Sequence, residues 1–292
     1  MIKYLLGVDG GGTGTRVLLA ARSGAILAQA SAGPSALGQG VAAAWEQILT
    51  AVRQAFAVAG LTVPADWSAC ALGAGLSGVH HQPWCDEFVA TNPGFARLAV
   101  ENDAYIALLA AHHGQPGAMV AAGTGSVGEA LYADGTRHQV SGWGFPVGDE
   151  GSGAWLGLRA MSHAQEVMDR RLRGAALATR IHQQCGSTRD ALQQWCAGAG
   201  QSEYAQLAPT VFDCAASDPV AEALLAEPAA ALERMAAALD RRGTLPLAIC
   251  GSVGRQLLPR LASATRARAI ASPQDAVHGA LTLVHQSLEQ TP

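Results

Sequence analysis

Apolar runs and glycine-rich breaks alternate along this chain in a pattern that occurs twice. The first copy runs Leu6–Gly7–Val8–Asp9–Gly10–Gly11–Gly12–Thr13–Gly14–Thr15–Arg16–Val17–Leu18–Leu19. The second runs Met119–Val120–Ala121–Ala122–Gly123–Thr124–Gly125–Ser126–Val127–Gly128–Glu129–Ala130–Leu131. In each, an apolar run meets a turn rich in glycine and hydroxyl residues, and a second run leads away. A further turn signal follows, Arg22–Ser23–Gly24 in one copy and Ala133–Asp134–Gly135 in the other. The pattern predicts strand, tight turn, strand, turn, strand, used twice.

Between and after these copies the periodicity changes. Val41, Trp45, Ile48, Val52 and Phe56 recur at helical spacing, which predicts a helix from Val41 to Ala59, stopped by Gly60. Ser68 to Leu76 reads as a buried strand ending at Ser77–Gly78, and Leu98 to Glu101 as a short one. Asn102 and Asp103 then open a helix from Ala104 to His112. Gly114–Gln115–Pro116–Gly117 is a hinge candidate, and the second meander ends at Val140. A glycine-rich stretch from Gly142 to Gly153 leads into a long helical region, from Ala154 to about Arg242. Leu245 to Cys250 reads as a strand, Gly251–Ser252–Val253–Gly254 as a turn and Arg255 to Ala264 as a helix. A last helix spans Asp275 to about Leu288. The expected architecture is a duplicated α/β fold with a cleft between domains 1–115 and 116–292. The last helix is expected to pack back on the first domain.

Glycines in the two tight turns let backbone N–H groups approach a phosphate, and the hydroxyls add donors. Lysine content narrows the kind of phosphate site. Lys3 is the only lysine, so neither a P-loop nor a protein kinase is possible. A dinucleotide fingerprint would open a helix, whereas Thr15 to Ala21 continues as an apolar strand.

The chain is 49% hydrophobic and 14% charged with net charge −4, a globular composition. Its arginines form no dense run, so a nucleic-acid or anionic-membrane surface is not indicated. No apolar run approaches the ~18 residues of a membrane span, and the stretch before Asp9 is too short for a secretory segment. The six cysteines match no zinc or disulfide spacing and are expected to be reduced thiols of a cytoplasmic protein.

Four acidic residues carry candidate chemistry. Asp103 is either a helix cap or a general base. Asp9 is either a turn residue or a carboxylate that holds Mg²⁺ through water. Asp149 and Glu150 are adjacent in the glycine-rich stretch. Adjacent residues usually point apart, so a glycosidase pair is disfavoured and a sugar-hydroxyl acceptor at Asp149 is preferred. Trp143 is either core or part of a ligand-facing loop.

Asp9–Gly10–Gly11–Gly12–Thr13, Asn102–Asp103–Ala104, Gly123–Thr124–Gly125–Ser126 and Gly142–Trp143–Gly144 follow one another in order. After them come Gly148–Asp149–Glu150–Gly151–Ser152, Leu207–Ala208–Pro209, Gly251–Ser252–Val253 and Asp275–Ala276–Val277–His278–Gly279–Ala280. In this succession the chain resembles the sugar kinase/heat-shock/actin superfamily, with its actin-like ATPase (ribonuclease H-like) fold. Within it, the chain is most similar to the N-acetylglucosamine kinase and bacterial glucosamine kinase group.

That resemblance implies ATP, Mg²⁺ and an amino sugar phosphorylated at its 6-hydroxyl. Thr13 and Thr124 would touch the ATP phosphates, aided by Gly11, Gly12, Thr15, Gly123 and Gly125. Gly251, Ser252 and Val253 would pack on adenosine. Asp103 would be the catalytic base. Trp143, Gly144 and Asp149 would line the sugar pocket with Ser126 beside it, and Ser35, Ser77, Asn102 and Glu150 would join them. Ala36 stands where related kinases carry a sugar-contacting asparagine, which leaves N-acetylglucosamine and glucosamine as rival substrates. A homodimer is expected. The activators of radical dehydratases share this fold but need cysteines early in the second domain, and none lies between Cys85 and Cys185. A non-catalytic sugar or nucleotide sensor would not need to keep both Asp9 and Asp103.

Overall fold

The computed structural model describes residues 1–271 and 275–289; residues 290–292, at the end of the expected second domain, lie outside them. In chain order come β1 (Tyr4–Gly10), β2 (Thr15–Ala21), β3 (Ile26–Ala32), α1 (Val41–Val58), β4 (Cys70–Leu76), α2 (Gln82–Ala90), β5 (Arg97–Glu101) and α3 (Asp103–His112). The second half holds β6 (Gly117–Ala122), β7 (Ser126–Leu131), β8 (Arg137–Ser141), α4 (Gly153–Met168), α5 (Ala176–Cys185) and α6 (Arg189–Gly198). It continues with α7 (Gln201–Ala205), α8 (Ala208–Cys214), α9 (Pro219–Leu239), β9 (Leu247–Cys250), α10 (Ser252–Leu257), α11 (Ser263–Ala267) and β10 (Ala269–Ile270). The chain closes with α12 (Ala276–Glu289). Two compact units result: Met1–Pro116 with α12, and Gly117–Ala271. Among the described residues no helix is long and apolar enough to cross a membrane.

The sheet of the first unit has the order β3-β2-β1-β4-β5. β1, β2 and β3 pair antiparallel, and β1, β4 and β5 pair parallel. Strand alternation explains its two faces. Leu6 and Val8 of β1 and Leu72 and Ala74 of β4 join a core with Trp45, Ile48, Val52 and Phe56 of α1. The intervening positions are small. A Cβ on Gly7 would lie 2.6 Å from the Val277 carbonyl oxygen, and one on Gly73 would lie 2.2 Å from that of Ala280. One on Gly75 would meet the Ile106 side chain at 2.3 Å. Glycine on this face lets α3 and α12 lie directly on the strands. It also leaves Asp9, two residues beyond Gly7, on the same side.

The second sheet repeats the plan in the order β10-β9-β6-β7-β8. Its core joins Val120 and Ala122 of β6 to Leu156, Leu232 and Leu239 of the covering helices. Two expectations need correction here. The turn expected over Gly251–Gly254 is one residue long: Gly251 has φ 81°, and α10 begins at Ser252. A Cβ on Gly251 would also sit 2.2 Å from the Ala122 carbonyl oxygen, so no other residue fits. The single helix expected over Arg255–Ala264 is broken into α10, a 3₁₀ turn at Leu258–Arg260 containing Pro259, and α11. Proline lacks the N–H that would continue the helix.

Candidate active site

In the first unit the chemistry gathers at the carboxyl ends of β1, β4 and β5. The β1–β2 turn is closed by Gly11 N–H donating to the Gly14 carbonyl at 3.0 Å. Gly12 and Thr13 are exposed at its tip, and beyond the Cα of Gly11 there is open space. The chain after β3 is latched to this loop. Ser35 N–H donates to the Gly11 carbonyl at 3.1 Å, and Gln39 Nε2 donates to that of Gly12 at 3.3 Å. Ser77 links the next strand: its N–H donates to Gly10 O at 3.0 Å and its carbonyl accepts from Leu37 N–H at 2.9 Å.

Thr15 differs from its expected place on the cofactor. It is 1% exposed, and its hydroxyl bonds to the Gly33 carbonyl at 2.6 Å and to Ser35 Oγ at 2.7 Å. Thr15 and Ser35, the latter also 1% exposed, therefore brace the loop from inside instead of facing a ligand.

At the end of β5, Asn102 and Asp103 divide the two readings of this pair. Asn102 is the N-cap of α3, and its Oδ1 accepts from Tyr105 N–H at 2.7 Å. Asp103 accepts the adjacent Ala104 N–H, at 2.9 Å through Oδ1, and its own backbone N–H also lies against the carboxylate. Asp103 is exposed, with protein packed around it. That desolvation raises its carboxyl above the usual aspartate range, and the charge of Asp9 adds to the rise. The Ala104 N–H and His80 oppose it.

Asp9 itself faces Arg16 across the ladder, with 2.5 Å between Oδ2 and the guanidinium. Among the described residues no group of three or more His, Cys, Asp or Glu could hold a metal ion. A single carboxylate ligand such as Asp9, beside a phosphate loop, still suits Mg²⁺, which keeps several waters and takes phosphate oxygens as ligands.

In the second unit the loop between β6 and β7 is fixed by α4. Gly153 N–H donates to Gly123 O at 2.7 Å, and Ala154 N–H to Thr124 O at 3.2 Å. Ser152 caps the helix by accepting from Trp155 N–H. Thr124 is exposed, and Gly123, like Gly11, has open space beyond its Cα. A cavity of about 130 Å³ adjoins this loop, lined by Thr124, Pro209, Phe212, Ser252, Val253 and Gln256 among others. Sequence reasoning named Ser252 and Val253, and it marked Pro209 without a role; it missed Phe212 and Gln256. The helical spacing of Pro209 and Phe212 was the available signal.

The glycine-rich stretch is organised around Asp149. Expected to accept a sugar hydroxyl, Asp149 is 4% exposed, and its Oδ2 accepts from Gln201 Nε2 at 2.7 Å. Burial raises its carboxyl, while the N–H groups of Ser126 and Gly144 bond to it and lower it. In this conformation it holds the loop together. Ser126 is likewise engaged, donating through Oγ to the Glu150 carbonyl at 2.8 Å, and Glu150 Oε2 accepts from Ser141 Oγ at 3.2 Å. Trp143 is not core: it is 87% exposed on this loop, next to Gly144. A larger cavity of about 360 Å³, lined by Leu5, His113 and His285, involves neither phosphate loop.

Two strand–loop–strand units, each with open space beyond a loop glycine, define a protein of the actin-like ATPase class. The chain belongs to the BadF/BadG/BcrA/BcrD ATPase family, whose model matches residues 6–256. It is 31% identical to the glucosamine kinase GspK of Vibrio cholerae over 96% of this chain and 95% of that protein. It is 26% identical to the N-acetylmuramic acid/N-acetylglucosamine kinase of Clostridium acetobutylicum, over 58% of this chain and 56% of the other. The solved structure of a Chromobacterium violaceum protein, provisionally assigned as an N-acetylglucosamine kinase, is 47% identical with a TM-score of 0.93. It covers 97% of this chain and 99% of that one.

Proposed function

We propose that this chain is an ATP-dependent amino-sugar kinase that phosphorylates N-acetylglucosamine at the 6-hydroxyl, giving the 6-phosphate and ADP. The observation that carries this reading is the release of Asp103 from capping. It stands at the end of a parallel strand, near Asp9 and an open glycine loop, with Asn102 doing the work of the cap. Family membership and the kinase relatives support phosphoryl transfer from ATP to an amino sugar.

In this reading Thr13, Thr124 and the N–H groups of Gly11, Gly12, Gly123 and Gly125 hold the phosphates. Gly251, Ser252, Val253 and the Pro209–Phe212 wall receive adenosine. Asp9 would hold Mg²⁺ through water, and the bound cation would supply charge neutralisation for phosphoryl transfer. Asp103 orients the acceptor hydroxyl and takes its proton. Trp143, Gly144 and Ser77 face the sugar. The decisive assay is ADP release over N-acetylglucosamine, glucosamine, N-acetylmannosamine and glucose. ATP hydrolysis indifferent to every sugar would refute the kinase.

The base role fixes a pH dependence. Asp103 must be ionised to accept a proton, and desolvation by the surrounding protein, with the charge of Asp9, raises its carboxyl. The rate kcat/KM therefore falls as pH falls, with its acid limb above the range of an ordinary aspartate. A profile that stays flat down to that ordinary range would contradict the assignment.

Glucosamine is the second reading, favoured by Ala36 and by the Vibrio relative. Ala36 has an ordinary extended backbone, φ −62° and ψ 131°, which asparagine adopts without strain. One hydrogen bond contributes about 0.5–1.5 kcal/mol, so Ala36→Asn should change kcat/KM by roughly threefold to tenfold. A larger gain for N-acetylglucosamine than for glucosamine supports the acetamido substrate. A larger gain for glucosamine, or rejection of N-acetylglucosamine by the wild type, assigns the enzyme to glucosamine.

A further inference from the structure

Arg16 has no part in the reaction so far, yet it is placed beside it. In the β1–β2 ladder Asp9 pairs with Arg16, one step before Gly10 and Thr15 close the phosphate turn. One guanidinium nitrogen of Arg16 lies 2.5 Å from Asp9 Oδ2, and the other lies 3.4 Å from Asp275 Oδ2, just ahead of α12. The Asp9 side chain is 17% exposed, those of Arg16 and Asp275 43% and 66%. Arg16 is thus anchored on its inner side and only loosely held on its outer side. Neither phosphate loop contains a lysine or arginine, and the single lysine is Lys3.

The outer pair with Asp275 is exposed and contributes little to stability, so the anchored contact with Asp9 is the one that matters. A cation such as Mg²⁺ takes few protein ligands, and the groups that orient such a ligand control how well it binds. We propose that Arg16 is a positioning residue that fixes the Asp9 carboxylate for the phosphate-bound Mg²⁺. The proposal rests on the kinase reading above. Arg16 acts through Asp9, not on the phosphates directly.

The test measures Mn²⁺ binding to the full chain with ADP, by electron paramagnetic resonance, which does not depend on turnover. Arg16→Met should weaken Mn²⁺ binding about tenfold, the size of a hydrogen bond to a charged group. Asp9→Asn should weaken it at least as much. The double variant should be no weaker than Asp9→Asn alone, because the Arg16 effect passes through the missing carboxylate. Where Arg16→Met does not fold, Arg16→Lys keeps the charge without the two-point geometry and should show the same dependence on Asp9. Unchanged Mn²⁺ affinity in the Arg16 variant overturns the proposal, and so do losses that multiply in the double variant. Either result leaves the kinase reading intact if the wild type binds Mn²⁺ with ADP. A wild type that binds none overturns both.

Discussion

Asp103→Asn is expected to lower kcat by about 10²–10⁴, the range for loss of a general base, while sugar affinity stays near that of the wild type. Asparagine preserves the shape of the side chain and can still accept the Ala104 N–H. The cap of α3 belongs to Asn102, so the helix keeps its start. A helix-capping role for Asp103 predicts the opposite pattern: a loss of stability with kcat nearly unchanged. Steady-state kinetics and a thermal melt on the same preparation separate the two. A variant with near-normal kcat would return Asp103 to the backbone.

Gly279→Ala is expected to destabilise the first unit by about 3 kcal/mol, at the upper end of the usual cost of overpacking. A Cβ there would lie 1.8 Å from the Ile106 carbonyl oxygen and 2.8 Å from Ala110 N, both backbone atoms of α3. Backbone cannot swing aside as a flexible side chain would, so α12 must lift from α3. Thermal denaturation should show Tm lowered by roughly 5–10 °C. A Tm within about 2 °C of the wild type would mean that α12 does not pack on α3 as closely as described.

The β-meanders were legible because each turn is a cluster of glycines between apolar runs, a signal confined to a few residues. Much of the sheet plan follows from the same alternation: Leu6 and Val8 on one face and Gly7 on the other already mark β1 as a strand with one crowded side. What the sequence left open depends on partners distant in the chain. Thr15 looks like a phosphate ligand because it lies in a glycine loop, but the partners that turn it inward, Gly33 and Ser35, come from beyond β3. Asn102 and Asp103 are equivalent capping residues on paper; the bond from Tyr105 N–H chooses Asn102. That Gln201, from a separate helix, reaches the Asp149 carboxylate could not be read from the sequence around Asp149. Arg16 gained meaning only from the ladder that sets it opposite Asp9. The sequence suggests a longer turn at Gly251 than the structure has because Ser252, Val253 and Gly254 carry no strong helix signal. The helix start is fixed by the one residue at φ 81°.

The proposed reaction is transfer of phosphate from ATP to an amino sugar with Asp103 as base. Transfer of label from γ-³²P-ATP to the sugar is the most direct measurement, run with N-acetylglucosamine and glucosamine, on the wild type and on Asp103→Asn. A labelled sugar 6-phosphate is expected, formed only with Mg²⁺ present and at a rate at least about a hundredfold lower in the variant. Label appearing solely as inorganic phosphate, or labelled sugar formed equally fast by the variant, would contradict it.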